Sequence, residues 1–220
     1  MEGLLILCEI IIVNLLLSAD NAIIIAMVSH QLPEKNRKDV IWIGTLLAVL
    51  LRCILVLFAL PLLTIPYLQA LGGLLLIIIA VKLLRQDHKE AKQTPVKPMV
   101  MTIKAGVWTI ITADFVMSLD NVLALAALAH GDFVLIMLGI ALSIPMIIWG
   151  SKLVLNLIQK YSFINFIGAA LLAFAAGEMV VKDIALSSII HSISPDLLTY
   201  FPLVIVPMVI IFGIIRKKTV

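Results

Sequence analysis

The chain has 220 residues, 63% of them hydrophobic and only 13% charged, with a mean hydropathy of +1.19 and a formal net charge of +3. A soluble domain is nearer half apolar and a quarter charged, so the composition excludes a soluble globular protein and marks an integral membrane protein. The small positive charge lies in the connections between apolar runs and makes no case for nucleic-acid binding.

A bilayer core of about 30 Å needs roughly 20 apolar residues at helical rise. Seven runs meet or approach that length: 3–28, 40–63, 67–84, 107–128, 133–158, 163–181 and 197–215. Transmembrane barrels would show short alternating segments instead, so the expected fold is all-α with seven transmembrane helices. The first run lacks a basic leader and carries Glu9, Asn14, Ser18, Asp20 and Asn21. It is therefore expected to stay as a helix rather than to be cleaved as a signal peptide. The second run holds Arg52 near its middle, and the third holds Gly72-Gly73. A polar stretch with Pro95 and Pro98 follows at 86–102. The fourth run carries Asp114, Ser118, Asp120 and Asn121; the sixth carries Gly168-Ala169 and Glu178. After the seventh comes the basic tail Arg216-Lys217-Lys218. Cys8 and Cys53 stand alone in apolar runs without Cys-x-x-Cys spacing, which indicates neither a redox centre nor a thiolate metal site.

Lys35, Arg37, Lys38, Arg85, Lys89, Lys92, Lys97, Lys104, Lys152, Lys160 and the three basic tail residues fall on one side of the expected topology. Lys182 alone falls on the other. The positive side is cytoplasmic, which places the N-terminus outside and the C-terminus in the cytoplasm. Three helices precede the polar stretch and three follow it before the seventh. Because three is odd, the two halves insert in opposite orientations, the inverted-repeat plan of many secondary transporters. The expected organisation is a first repeat at 1–85, a cytoplasmic linker at 86–102, a second repeat at 103–183, and an outer loop, seventh helix and tail at 184–220.

The repeat is written into the sequence. Asn14-Leu15-Leu16-Leu17-Ser18-Ala19-Asp20-Asn21 returns one hundred positions later as Asp114-Phe115-Val116-Met117-Ser118-Leu119-Asp120-Asn121. Ala26 and His30 match Ala126 and His130, and Leu71-Gly72-Gly73 resembles Ile167-Gly168-Ala169. An ionisable residue at membrane depth costs several kcal/mol unless a partner, a cavity or an ion offsets it. On a helix, Asn14, Ser18 and Asn21 share one stripe, as do Asp114, Ser118 and Asn121, with each motif aspartate about a quarter turn away. Local unwinding at Ser-x-Asp-Asn would aim all of them at one ion, although no Gly or Pro in either motif enforces it.

The donors are all oxygen: the carboxylates of Asp20, Asp114 and Asp120, the amides of Asn14, Asn21 and Asn121, and the hydroxyls of Ser18 and Ser118. That set suits a hard divalent ion such as Mn²⁺, Mg²⁺ or Ca²⁺ over Cu⁺ or a structural zinc. Three ionised aspartates give about −3, enough for a divalent ion plus an exchangeable proton. Glu9, Glu178, His30 and His130 are candidates for a proton relay or gate, against ordinary interfacial roles. Arg52 is read either as the counter-ion of one carboxylate or as a gate that exchanges partners. Ser18 and Ser118 taken singly also fit simple helix–helix hydrogen bonding.

At Ser18-Ala19-Asp20-Asn21-Ala22 and Asp114 to Val122 the sequence resembles the TerC family of membrane proteins, in a short bacterial branch within the wider LysE-type transporter superfamily. The resemblance runs through helices one to six. It implies manganese export, with Asp20, Asn21, Asp114, Asp120 and Asn121 handling the metal, and some members are linked to metal loading of secreted enzymes. The family's first motif often reads Gly-Asp-Asn, where this chain has Ala19 before Asp20, which weakens the case for a break in helix one.

The expected function is thus a proton-coupled divalent-cation exporter, not an enzyme, with no tightly bound cofactor. Its partners would be the metal ion, protons and lipid. No Gly-x-x-x-x-Gly-Lys signature is present for ATP. An amino-acid exporter would need a cation for the substrate carboxylate, and only Arg52 offers one. A metal-delivery scaffold fits the same residues. An intramembrane aspartyl protease fits less well, because the duplicated asparagines point to ion coordination and its Gly-x-Gly-Asp pattern is absent.

Overall fold

A computed structural model of the protein describes residues 2–90, 101–129, 132–187 and 195–215, and over these it is helical without strands. Seven long helices follow in order: α1 (Glu2–His30), α2 (Glu34–Leu63), α3 (Leu68–Glu90), α4 (Ile103–Leu128), α5 (Phe133–Lys160), α6 (Phe163–Lys182) and α7 (Pro195–Ile215). They coincide with the seven apolar runs. Within them Glu34–Phe58, Leu68–Arg85, Phe133–Lys160 and Phe163–Lys182 are long and apolar enough to cross a membrane. α3 continues to Glu90, so the first five residues of the polar stretch 86–102 are helical; Pro95 and Pro98 lie outside the described residues.

Both motif helices are continuous through Ser-x-Asp-Asn, and the expected unwinding does not occur. The physical reason is in the sequence. Neither motif contains a Gly or Pro, and an unwound turn in an apolar setting would leave backbone groups unpaired. Helix starts are fixed locally. Asp132 caps α5 by accepting from the Val134 and Leu135 amides.

α1 packs on α5 and α2 on α4, with α1 crossing α4 and α2 crossing α5. α3 packs on α6, and α7 covers both. The outward faces stay apolar: Leu46, Leu50, Ile54 and Leu57 on α2, and Leu71, Leu74 and Ile78 on α3, are exposed at helical spacing. Such faces match lipid chains rather than water. α3 and α6 approach closely where Gly73 meets the Ala176 carbonyl, which leaves no room for a side chain.

Near the same end of that pair, just past the end of α6, Asp183 is buried and stitches two elements together. Its carboxylate accepts from the Tyr67 and Ala70 amides at the start of α3, and from Ala185 and Leu186 in its own chain segment. Tyr67 adopts φ 65°, an uncommon conformation for a bulky side chain, and its amide is among those held. Asp183→Ala would leave these N–H groups without their acceptor in a buried site. The expected cost is about 2 kcal/mol or more, read as a lower melting temperature of the purified protein. An unchanged melt would show that water replaces the carboxylate.

Candidate cation site

The α2–α4 crossing brings a base and an acid together out of water. Arg52 Nη2 lies 2.7 Å from Asp114 Oδ1, with exposures of 1% and 5% for the two side chains. Ser118 joins them: its hydroxyl donates to Asp114 Oδ2 at 3.0 Å and accepts from Arg52 Nε at 3.1 Å. Asp114 and Ser118 are four residues apart, so one face of α4 presents both. The Arg52 Nη1 group has no hydrogen-bond partner, although it is buried.

From the opposite wall α1 contributes Asn21. A crevice too narrow for water is lined by Asn21, Ile24 and Ile25 of α1 and by Ile110 and Asp114 of α4. Motif residues of both halves therefore meet at the α1–α4 crossing. Ser18 is buried on the same stripe of α1, and its hydroxyl is without a hydrogen-bond partner.

Asp120 is placed elsewhere. Its Oδ1 accepts from Gln69 Nε2 at 2.6 Å, and its Oδ2 lies 3.6 Å from Lys182 Nζ, which also pairs with Glu178 at 2.9 Å. This network joins the start of α3 and the end of α6 to α4. Beside it opens a cleft of about 420 Å³ lined by Phe174, Glu178, Lys182 and residues of α7. Asp20 is half-buried, as are Asn121 and His30. The side chains of Glu9 and Asn14, and all of His130, lie outside the described residues. Among the described residues no three His, Cys, Asp or Glu side chains converge to hold a metal. The site as it stands is one carboxylate with hydroxyl and amide oxygens around it, and its negative charge is already matched by Arg52.

Sequence reasoning missed three contributors: Gln69, Lys182 as a partner of Asp120, and Asp183 as a cap. A signal for the first was present. Aligning Gly72-Gly73 with Gly168-Ala169 puts Gln69 opposite Asn165, a second amide in the first turn of its helix.

The family model described as Integral membrane protein TerC family matches residues 1–220. This chain belongs to the TerC family. It is a multi-pass integral membrane protein, as the helices above require. Among Bacillus subtilis (strain 168) proteins, this TerC-family chain is 40% identical over 188 residues to the uncharacterized membrane protein YjbE, covering 84% of each chain. It is 31% identical over 158 residues to the uncharacterized membrane protein YceF, covering 69% of this chain and 61% of that one. With the uncharacterized membrane protein YkoY it shares 33% identity over 123 residues, which is 52% of this chain and 36% of that protein. No solved structure matches it significantly.

Proposed function

We propose that this protein exports a hard divalent cation, Mn²⁺ foremost, from the bacterial cytoplasm by alternating access in exchange for protons. The observation that carries the reading is the buried Asp114–Ser118–Arg52 cluster facing Asn21 across the α1–α4 crossing. Oxygen donors from both repeats meet there, and a charged group at that depth is costly unless it works. Asp20, Asp120 and Asn121 serve as further ligands or relay groups along the route. Moving a divalent ion outward against 100 mV, inside negative, costs about 4.6 kcal/mol at ~2.3 kcal/mol per charge. A carboxylate that binds metal when ionised and a proton otherwise supplies the exchange.

Seven spans and an inverted repeat fit the packing. A two-fold operation exchanging α1 with α4, α2 with α5 and α3 with α6 turns the α1–α5 contact into the α4–α2 contact, and both are among the main packing pairs. The amino-acid exporter is less well supported, because Arg52, the basic group at mid-span, is committed to Asp114.

Cells expressing the protein are expected to accumulate less radioactive Mn²⁺ than cells expressing Asp114→Asn. Equal accumulation at equal expression contradicts export. The orientation has its own check, in a background where Cys8 and Cys53 are Ser. A cysteine at exposed Ile65 should react with an impermeant maleimide on intact cells, and one at exposed Lys35 should react only after lysis. The reverse pattern would place the N-terminus inside.

A further inference from the structure

The helices sort into two groups by what they pack on. α1, α2, α4 and α5 hold one another, and α3, α6 and α7 hold one another. Within each group the two halves of the chain are related in register. Taking Gly44 with Gly139, and the motifs one hundred apart, the approach of Gly150 to Ala22 corresponds to Leu55 and Val122, which share a buried cluster. The approach of Gly73 to Ala176 corresponds to Ala169 and Ala80, both fully buried.

Between the groups the register is broken. Where α3 meets α4, Gly72 packs on Val116, and Gln69 Nε2 holds Asp120 Oδ1 at 2.6 Å. The same register where α6 meets α1 would put Gly168 on Leu16 and Asn165 beside Asp20. Instead Gly168 meets Ile23 and Met27, seven and eleven positions further along α1 (23 − 16 and 27 − 16). Asn165 is 3% exposed, and its Nδ2 has no hydrogen-bond partner. A buried amide N–H₂ left unpaired in an apolar setting is costly and calls for an explanation.

We infer that the α1–α2–α4–α5 group slides along the α3–α6–α7 group by two to three helical turns, roughly 10–16 Å at 1.5 Å per residue, and that Asn165 receives Asp20 in the opposite state as Gln69 receives Asp120 in this one. The two amides are alternating latches. Each donates to the motif aspartate of the helix it faces, and only one is engaged at a time. The slide moves the Asp114 cluster toward the α6 N-terminus, which is the cytoplasmic end in the proposed orientation. Substrate identity rests on the export reading; the slide itself rests on the register mismatch and the unpaired amide.

The test uses full-length protein in liposomes, with Cys8 and Cys53 changed to Ser. One variant carries Gln69→Cys and Asp120→Cys, another Asn165→Cys and Asp20→Cys, and each is treated with a short bifunctional thiosulfonate. Both pairs are expected to bridge within a molecule, the first reporting this state and the second the opposite one. Failure of the 20–165 pair to bridge, whether or not 69–120 does, overturns the slide. Cross-linking needs no transport, so a 20–165 bridge together with no Mn²⁺ flux through the protein that keeps Asp20 and Asn165 would sink the export reading and leave the slide standing. Asn165→Leu supplies a second readout. Removing one latch should favour the state seen here, raising the rate of bridging at a 69–120 cysteine pair by about tenfold over the same pair with Asn165 in place, the scale of one charge-assisted hydrogen bond. In the same variant the melting temperature should hold or rise, because an unpaired polar group has left the core. A lower melt with unchanged 69–120 bridging would make Asn165 merely structural.

Discussion

Arg52→Met is expected to leave Asp114 as an uncompensated buried carboxylate and to destabilise the protein by about 3–5 kcal/mol, the cost of breaking a buried ion pair from one side. Asp114 would keep only the Ser118 hydroxyl among the partners it now has. The chain itself indicates a rescue. With Gly44 aligned to Gly139, Arg52 falls opposite Ile147, while Asp114 falls opposite Asn14. Arg52 of α2 and Asp114 of α4 are both charged while their counterparts, Ile147 of α5 and Asn14 of α1, are both neutral, so the two charges come and go together. The double variant Arg52→Ile with Asp114→Asn is therefore expected to recover most of the lost melting temperature, while Mn²⁺ transport stays absent. A double-mutant cycle separates this from independent effects, since groups in contact couple and distant ones add. Wild-type expression, melting and transport in Arg52→Met would show that the guanidinium is not a counter-ion.

Asp120→Asn and Asp20→Asn are each expected to reduce transport to the level of protein-free vesicles while keeping side-chain size and hydrogen-bonding capacity. Asp120 now holds Gln69 and lies near Lys182, and an amide can still accept from both. Melting temperature should therefore change little, and loss of transport would report the missing charge. If the two aspartates serve one ion in turn, the double variant is no worse than either single one. Full transport in either single variant ends their assignment as metal-handling groups, and a simple product of two partial losses would mean separate sites.

How far these features were legible follows from what a sequence encodes. The seven helices were, because an apolar run of bilayer length admits few other structures. The pairing of Arg52 with a carboxylate was also legible, since a lone base at mid-span needs one. Which carboxylate was not: Asp114 is chosen by the α2–α4 crossing, and periodicity along one helix carries no information about its neighbour. The notion of a broken motif helix came from asking ligands on different faces to converge. The continuous helices answer it differently, placing Asn21 and Asp114 on facing walls and sending Asp120 to Gln69. Asp183 carried no signal in the sequence beyond its place next to Lys182. Its role as a cap on α3 depends on a contact more than a hundred residues away in sequence.

The most direct measurement of the central claim is Mn²⁺ flux into liposomes containing the purified protein, with an acidic lumen and a neutral bath. Export in exchange for protons predicts Mn²⁺ uptake that rises with the pH difference, collapses when a protonophore removes it, and is absent in Asp114→Asn. Uptake no faster than in protein-free vesicles, from protein that is monodisperse and correctly folded, would contradict transport and leave a membrane scaffold that hands metal on without moving it.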